Sequence, residues 1–167
     1  MSNIGNKDHV QKSHPAEIAR QLYDASFCII AARFNGDIVE RLVEGAESAL
    51  QRVGVSGSAI EILRVAGAYE LPLAAQKAAR AGRFDGIVAL GAVIRGGTPH
   101  FEYVSGECMS GLTRVSLDCD IPLGNGVLTV DTVEQALDRA GGAEGNKGEE
   151  AALAAAEMVS LIRQLDD

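Results

Sequence analysis

The sequence predicts an α/β chain built on a four-stranded parallel sheet, strand order 2-1-3-4, with helices on both faces. Three observations carry that expectation. Wholly apolar runs, residues 27–32 and the run that opens at Gly86-Ile87-Val88-Ala89-Leu90, suit strands buried on both faces. Between them, apolar residues recur at 3- and 4-residue spacing, the period of a helix with one buried side. Strand-like and helix-like segments alternate four times, and right-handed crossovers turn such an alternation into a parallel sheet.

The elements follow in order. Phe27-Cys28-Ile29-Ile30-Ala31-Ala32 is the first strand, and Asn35 just after it is a candidate N-cap. The next helix buries Ile38, Leu42, Ala46, Ala49, Leu50 and Val53 and stops at Gly54. Residues 59–65 form the second strand, placed at an edge because Glu61 and Arg64 interrupt it. A glycine loop, residues 66–72, opens an alanine-rich helix (Ala74, Ala75, Ala78, Ala79) that ends at Gly82. The third strand runs into Arg95-Gly96-Gly97-Thr98-Pro99-His100. A helix is expected from Thr98, because threonine caps helices and proline suits a first helical position. It buries Phe101, Val104, Cys108, Leu112 and Val115. A Gly124-Asn125-Gly126 loop then leads to a fourth strand, residues 127–130, and Asp131 or Thr132 caps a short helix that includes Arg139. Gly141, Gly142, Gly145 and Gly148 break the chain before a last helix, residues 149–165, with Met158, Leu161, Ile162 and Leu165 on one face. Residues 1–24 read as a polar arm with a helical hint at 16–22, flexible or docked on a neighbour, and residues 25–167 as one domain.

Composition narrows the function. At 167 residues the chain is long enough for one core without disulfides or metals. A formal net charge of -8 argues against nucleic acid as a partner, because phosphate backbones want a basic face. No apolar run approaches the roughly 20 residues of a membrane span, and the polar start lacks a signal-peptide core. Cys28, Cys108 and Cys119 form no paired motif and read as reduced thiols of a cytoplasmic protein. His100 is the single histidine outside the arm, so a zinc site is not expected.

Ligands of such sheets bind beyond the carboxyl ends of the strands. Four loops are expected there: Phe34-Asn35, Ala68-Tyr69-Glu70, Arg95 to His100, and Gly124-Asn125-Gly126. The strand, the glycine loop and the helix start aim N–H groups and a positive dipole end at one spot, which suits an anion, and Arg95 adds a fixed charge. Taken alone, the stretch is equally an ordinary βα turn. Together the loops supply stacking surface, a carboxylate and one imidazole, an inventory for a flat polar ring plus a phosphate handled by acid–base chemistry. No dinucleotide fingerprint, phosphate-binding Walker loop or serine elbow is present.

Several stretches, taken together, resemble the lumazine synthase family. They are residues 90–104 (Leu-Gly-Ala-Val-Ile-Arg-Gly-Gly-Thr-Pro-His-Phe-Glu-Tyr-Val), Arg33-Phe34-Asn35, Gly67-Ala68-Tyr69-Glu70-Leu71-Pro72, Gly126-Val127-Leu128-Thr129, Glu134-Gln135-Ala136 and Gly145-Asn146-Lys147-Gly148. The likeness runs in order from about Phe27 to Leu165. It implies a flavodoxin-like sandwich and a cofactor-free transferase of riboflavin biosynthesis. The implied substrates are 5-amino-6-(ribitylamino)uracil and 3,4-dihydroxy-2-butanone 4-phosphate. By resemblance, Phe34 stacks on the pyrimidine, and Ala68, Tyr69 and Glu70 hold the ribityl chain and ring. Ala92, Val93 and Ile94 offer backbone to the uracil edge, Gly97 and Thr98 bind the butanone phosphate, and His100 moves protons. Arg139 is the phosphate anchor, reached across a subunit boundary, with Lys147 near it and Glu150 a possible helper of the histidine. The resemblance also implies a homopentamer at minimum, with an icosahedral capsid of sixty subunits as the larger assembly. A non-catalytic flavin- or pterin-binding homologue, or one whose main role is the shell, is the alternative.

Each assignment has a plainer counterpart. Phe34 could close a loop against the core, Glu70 could complement a helix start, Arg139 a helix end, and Lys147 could solvate a glycine turn. The sequence also departs from the family at three places. Asn125 stands near the substrate where many members carry phenylalanine, Tyr69 replaces a common phenylalanine, and Ala66 a common proline.

Overall fold

The computed structural model describes residues 22–167, so the expected helical hint and nearly all of the polar arm lie outside the described residues. Four strands, β1 (Phe27–Ala32), β2 (Ile60–Val65), β3 (Gly86–Ile94) and β4 (Leu123–Val130), form one parallel sheet of order β2-β1-β3-β4. This is the sheet and order that the sequence predicts. Among the described residues, five α-helices connect and flank the strands: α1 (Gly36–Arg52), α2 (Leu71–Arg80), α3 (His100–Cys119), α4 (Val133–Asp138) and α5 (Lys147–Asp166).

Strand alternation decides the layers. In β1, Phe27, Ile29 and Ala31 face one side, joined by Val88, Leu90 and Ala92 of β3, and α1 and α5 cover them. Cys28, Ile30, Ile87 and Ala89 face the other side, under α2 and α3. Both central strands are therefore apolar at every position. Fully buried leucines and isoleucines such as Leu42, Leu90 and Ile29 each contribute about 1.5–3 kcal/mol by leaving water. Leu22 joins the first of these cores, and Asp24 pairs with Arg163 of α5 at 2.7 Å.

Local chemistry sets the ends. α1 stops where Gly54 takes φ 102°, with Gly54 N–H bonded to the Gln51 carbonyl and Val55 N–H to that of Leu50. β2 lies at the edge as expected; Glu61 pairs with Arg83 on one face of the sheet and Arg64 with Glu40 on the other, so charge flanks the edge strand.

Five expectations need correction. Gly124-Asn125-Gly126 is not a loop but part of β4, paired with Val88, Ala89 and Leu90. The glycines serve α5: a Cβ on Gly124 would stand 2.0 Å from the Ala151 carbonyl oxygen. α5 packs through Ala151, Ala152, Ala155, Ala156 and Val159, whereas Met158, Leu161 and Leu165 of the expected apolar face are exposed. Helix α5 also starts earlier, at Lys147, with Gly148 inside its first turn, buried against the Leu42 backbone. The glycine-broken stretch before it closes into a short antiparallel ribbon, β5 (Ala140–Gly142) with β6 (Gly145–Asn146). Arg139 is the residue capping α4 and not part of it; Thr132 caps the other end, its hydroxyl accepting from Gln135 N–H.

Candidate active site

A cavity of about 420 Å³ opens beyond the carboxyl ends of β1 and β3. Its position follows from the register. β1 stops pairing with β3 at Ala31–Leu90, while β3 continues beside β4 as far as Ile94 and Val130. The sheet therefore has a step, and the last residues of β3, Ala92, Val93 and Ile94, floor it. Phe34 overhangs from the end of β1, with 71 % of its surface exposed. Ala68, Tyr69 and Glu70 line one wall from a 3-10 turn before α2, and Thr98 and His100 another.

Asn35 fixes the overhang. It sits in the left-handed region at φ 56° at the start of α1, yet its side chain does not cap that helix. Nδ2 donates instead to the Ala92 carbonyl at 2.8 Å, stapling the Phe34 loop to the end of β3. Glu70 accepts from Gly67 N–H at 2.9 Å, so one carboxylate oxygen supports its own turn, the plainer role noted for it. Thr98 makes no side-chain cap: α3 begins at His100 with Pro99 in the cap position, which corrects the expected start. His100 is exposed at the mouth, in the first turn of α3 as expected.

Arg95 departs from its expected role as a free charge for an anion. Its Nε donates to Asp131 at 2.8 Å, Nη1 donates to Glu102, and the guanidinium lies 4.4 Å from the Phe101 ring centre. The hydrogen bonds to Asp131 and Glu102 raise the Arg95 pKa, and the one from Arg95 holds the Glu102 carboxyl below the usual range. The remaining sequence-predicted residues lie elsewhere. Gly97 is exposed on the loop between Gly96 and Thr98, which line the cavity, and does not line it itself. Asn125 and Lys147 share a second hollow of about 300 Å³ with Glu150. Asn125 points to the α3 side of β4, with Nδ2 2.8 Å from Met109 Sδ and Oδ1 accepting from Val127 N–H. Lys147 pairs with Glu150 at 2.8 Å, and its N–H donates to the Arg139 carbonyl, which sets the two cations at the base of the β5–β6 ribbon. Arg139 itself donates to the Gln135 carbonyl at 3.1 Å.

Phe101 and Val104, read from the sequence as core, line the cavity together with Gly96 and Gly67. The readable signal was helical spacing: a residue four after His100 shares its face of the helix. Burial pushes the Cys28 thiol up to about 12 and that of Cys108 to about 11, so neither is a nucleophile. Among the described residues no group of three or more His, Cys, Asp or Glu could hold a metal ion, and no helix is long and apolar enough to cross a membrane.

A doubly wound parallel sheet with an aromatic overhang, a carboxylate and an imidazole at its switch point defines an α/β enzyme of flavodoxin-like fold that handles a small polar ligand. Comparison with known proteins gives the family. Residues 24–163 match the family described as 6,7-dimethyl-8-ribityllumazine synthase. A protein of that description from Halorhodospira halophila (strain DSM 244 / SL1) is 55% identical over 145 residues, 87% of this chain and 93% of that protein. The chain belongs to the 6,7-dimethyl-8-ribityllumazine synthase family, transferases of riboflavin biosynthesis.

Proposed function

We propose that the chain condenses 5-amino-6-(ribitylamino)uracil with 3,4-dihydroxy-2-butanone 4-phosphate to give 6,7-dimethyl-8-ribityllumazine, the penultimate step of riboflavin biosynthesis. The observation that carries the reading is the meeting, in one cavity, of Phe34, Glu70 and His100 in a chain of this family. The 5-amino group attacks the ketone and water leaves as the imine forms. Phosphate is then eliminated, and the ribityl-bearing nitrogen closes the ring with loss of a second water. Every step moves protons, and in this reading His100, which lines the cavity, carries them.

In this reading Phe34 stacks on the pyrimidine, whose edge pairs with the backbone of Ala92, Val93 and Ile94 where β1 no longer covers β3. Tyr69 and Glu70, on the turn with Ala68, take the ribityl hydroxyls. Gly97 and Thr98 offer N–H groups to the phosphate. The cation for that phosphate is not Arg95, whose guanidinium is already held by two carboxylates. It comes from Arg139 of an adjoining copy, with Lys147 near it and that copy's Asn125 close to the substrate, so each site spans two chains of a ring of five. Rings of this kind close further into a shell in the larger assembly.

The test is direct. Purified protein mixed with both substrates should develop the lumazine chromophore and release one phosphate per turn. Tight binding of a flavin or pterin without any product would replace this reading with a binding role. Light scattering giving the mass of one chain would overturn the ring.

A further inference from the structure

We infer that Arg95 is a positioning residue of this site, which sets the first turn of α3 and with it His100, and is not a ligand of the substrate's phosphate; the inference rests on the lumazine synthase reading above. Three contacts carry it. Arg95 ends the third strand's run beside β4, its own N–H bonded to the Val130 carbonyl at 2.8 Å. From there its side chain reaches Asp131 just past β4, Glu102 in the first turn of α3, and the face of Phe101. The pair with Glu102 closes residues 96–101 into a loop tied at both ends. That loop contains the cavity-lining Gly96, Thr98, His100 and Phe101.

Two considerations separate positioning from other roles. The side chains of Arg95, Glu102 and Asp131 are 44%, 51% and 63% exposed, and ion pairs this open add little to folding. What the planar fork supplies is direction: two carboxylates from separate parts of the chain fix one guanidinium plane, and that plane lies against the ring of Phe101, the residue that follows His100 in the cavity lining. With both carboxylates engaged, little charge is left to offer a phosphate. Lysine could supply the charge but not the fork.

Steady-state kinetics of Arg95→Met and Arg95→Lys, with both substrates varied, tests this. For Arg95→Met we expect kcat to fall about 10–100-fold, the scale of a misplaced proton-transfer group, with both KM values within about twofold. Arg95→Lys should recover less than half of the loss on a logarithmic scale. Unchanged kcat in Arg95→Met, or a loss confined to the KM for butanone phosphate, would overturn the inference. So would full recovery by lysine. Should Arg95→Met fail to fold, Glu102→Gln and Asp131→Asn each remove one arm and should lower kcat severalfold at constant KM; wild-type rates in both would overturn it equally. A readout independent of turnover is the His100 imidazole proton resonance, assigned by its absence in His100→Ala. It should shift or broaden in Arg95→Met, and an unmoved signal counts against positioning. Wild-type protein that forms no lumazine in the same assay would overturn the proposed reaction, while the imidazole signal still judges the clamp.

Discussion

His100 stands exposed in the first turn of α3 at the mouth of the cavity, where an imidazole can reach both a bound ligand and water. Its replacement by alanine should slow turnover by about 10²–10⁴-fold, as loss of one general acid–base group does, while pyrimidine affinity measured by equilibrium titration stays near wild type. An equally fast variant would remove it from the mechanism. Cys28 makes a different prediction. Its thiol ionises near 9.0 when unfolded but is pushed up to about 12 by burial, with Glu61 adding to the effect. Above pH 9.0 the unfolded chain has lost that proton and the folded chain has kept it, so the group's contribution falls as pH rises towards 12. The loss is about 1.4 kcal/mol per pH unit. Denaturant titrations from pH 9 to 11 should show a shallower decline in Cys28→Ala than in wild type; parallel curves would mean that the thiol ionises in place. At this scale the sequence reveals a residue's kind better than its engagement. Phe34, Tyr69 and His100 all line the cavity. Arg95 reads as a free charge because Glu102 lies seven residues on and Asp131 just past another strand, and only the fold brings all three together.

Among the elements, β4 shows how one glycine answers to a distant helix. Gly124 faces α5, and a Cβ there would overlap the Ala151 carbonyl at 2.0 Å, an atom that cannot swing aside as a side chain would. Gly124→Ala should therefore cost at least about 1–3 kcal/mol in a urea titration, with α5 or β4 displaced. Gly96→Ala is the control, since nothing lies within 4 Å of its added Cβ, and it should be almost neutral for stability. Equal effects would mean that α5 yields easily. The same contact explains why this element misleads a reader of the sequence. Gly-Asn-Gly carries the composition of a turn, but here the glycines alternate on one face of a strand and make room for alanines. The last helix misleads in the matching way: its larger residues, Met158, Leu161 and Leu165, look like the packing face, and the small ones pack. The ribbon β5–β6 is unreadable for a third reason. It is two short strands of mostly glycine and alanine with no alternation to detect.

For the whole molecule, strand order was legible because wholly apolar runs can only be central strands and Glu61 and Arg64 exclude β2 from the middle. The site was legible only in part, because Arg139, Lys147 and Asn125 lie apart from the cavity that their motifs suggest they serve. If two chains share each site, variants damaged in opposite halves should repair one another. Co-refolded His100→Ala and Arg139→Ala chains, each inactive alone, would place an intact His100 beside an intact Arg139 at about a quarter of ring junctions. Activity approaching that fraction of wild type is the expected outcome. No recovery in a verified mixed ring would mean that both residues act within one chain.

The parallel sheet has one more consequence, for the order in which the protein is made. Phe27 pairs with Ile60 on one side and with Gly86 on the other, so β1 leaves the ribosome long before either partner. The layer over Phe27, Val88 and Leu90 is finished only when α5 delivers Ala151 to Val159. The nascent chain thus carries a core roofed by α1 alone until α5 has been made. A stop codon before Lys147 would release a product whose face is covered by α1 alone, with the part that α5 packs against left open to chaperones and proteases.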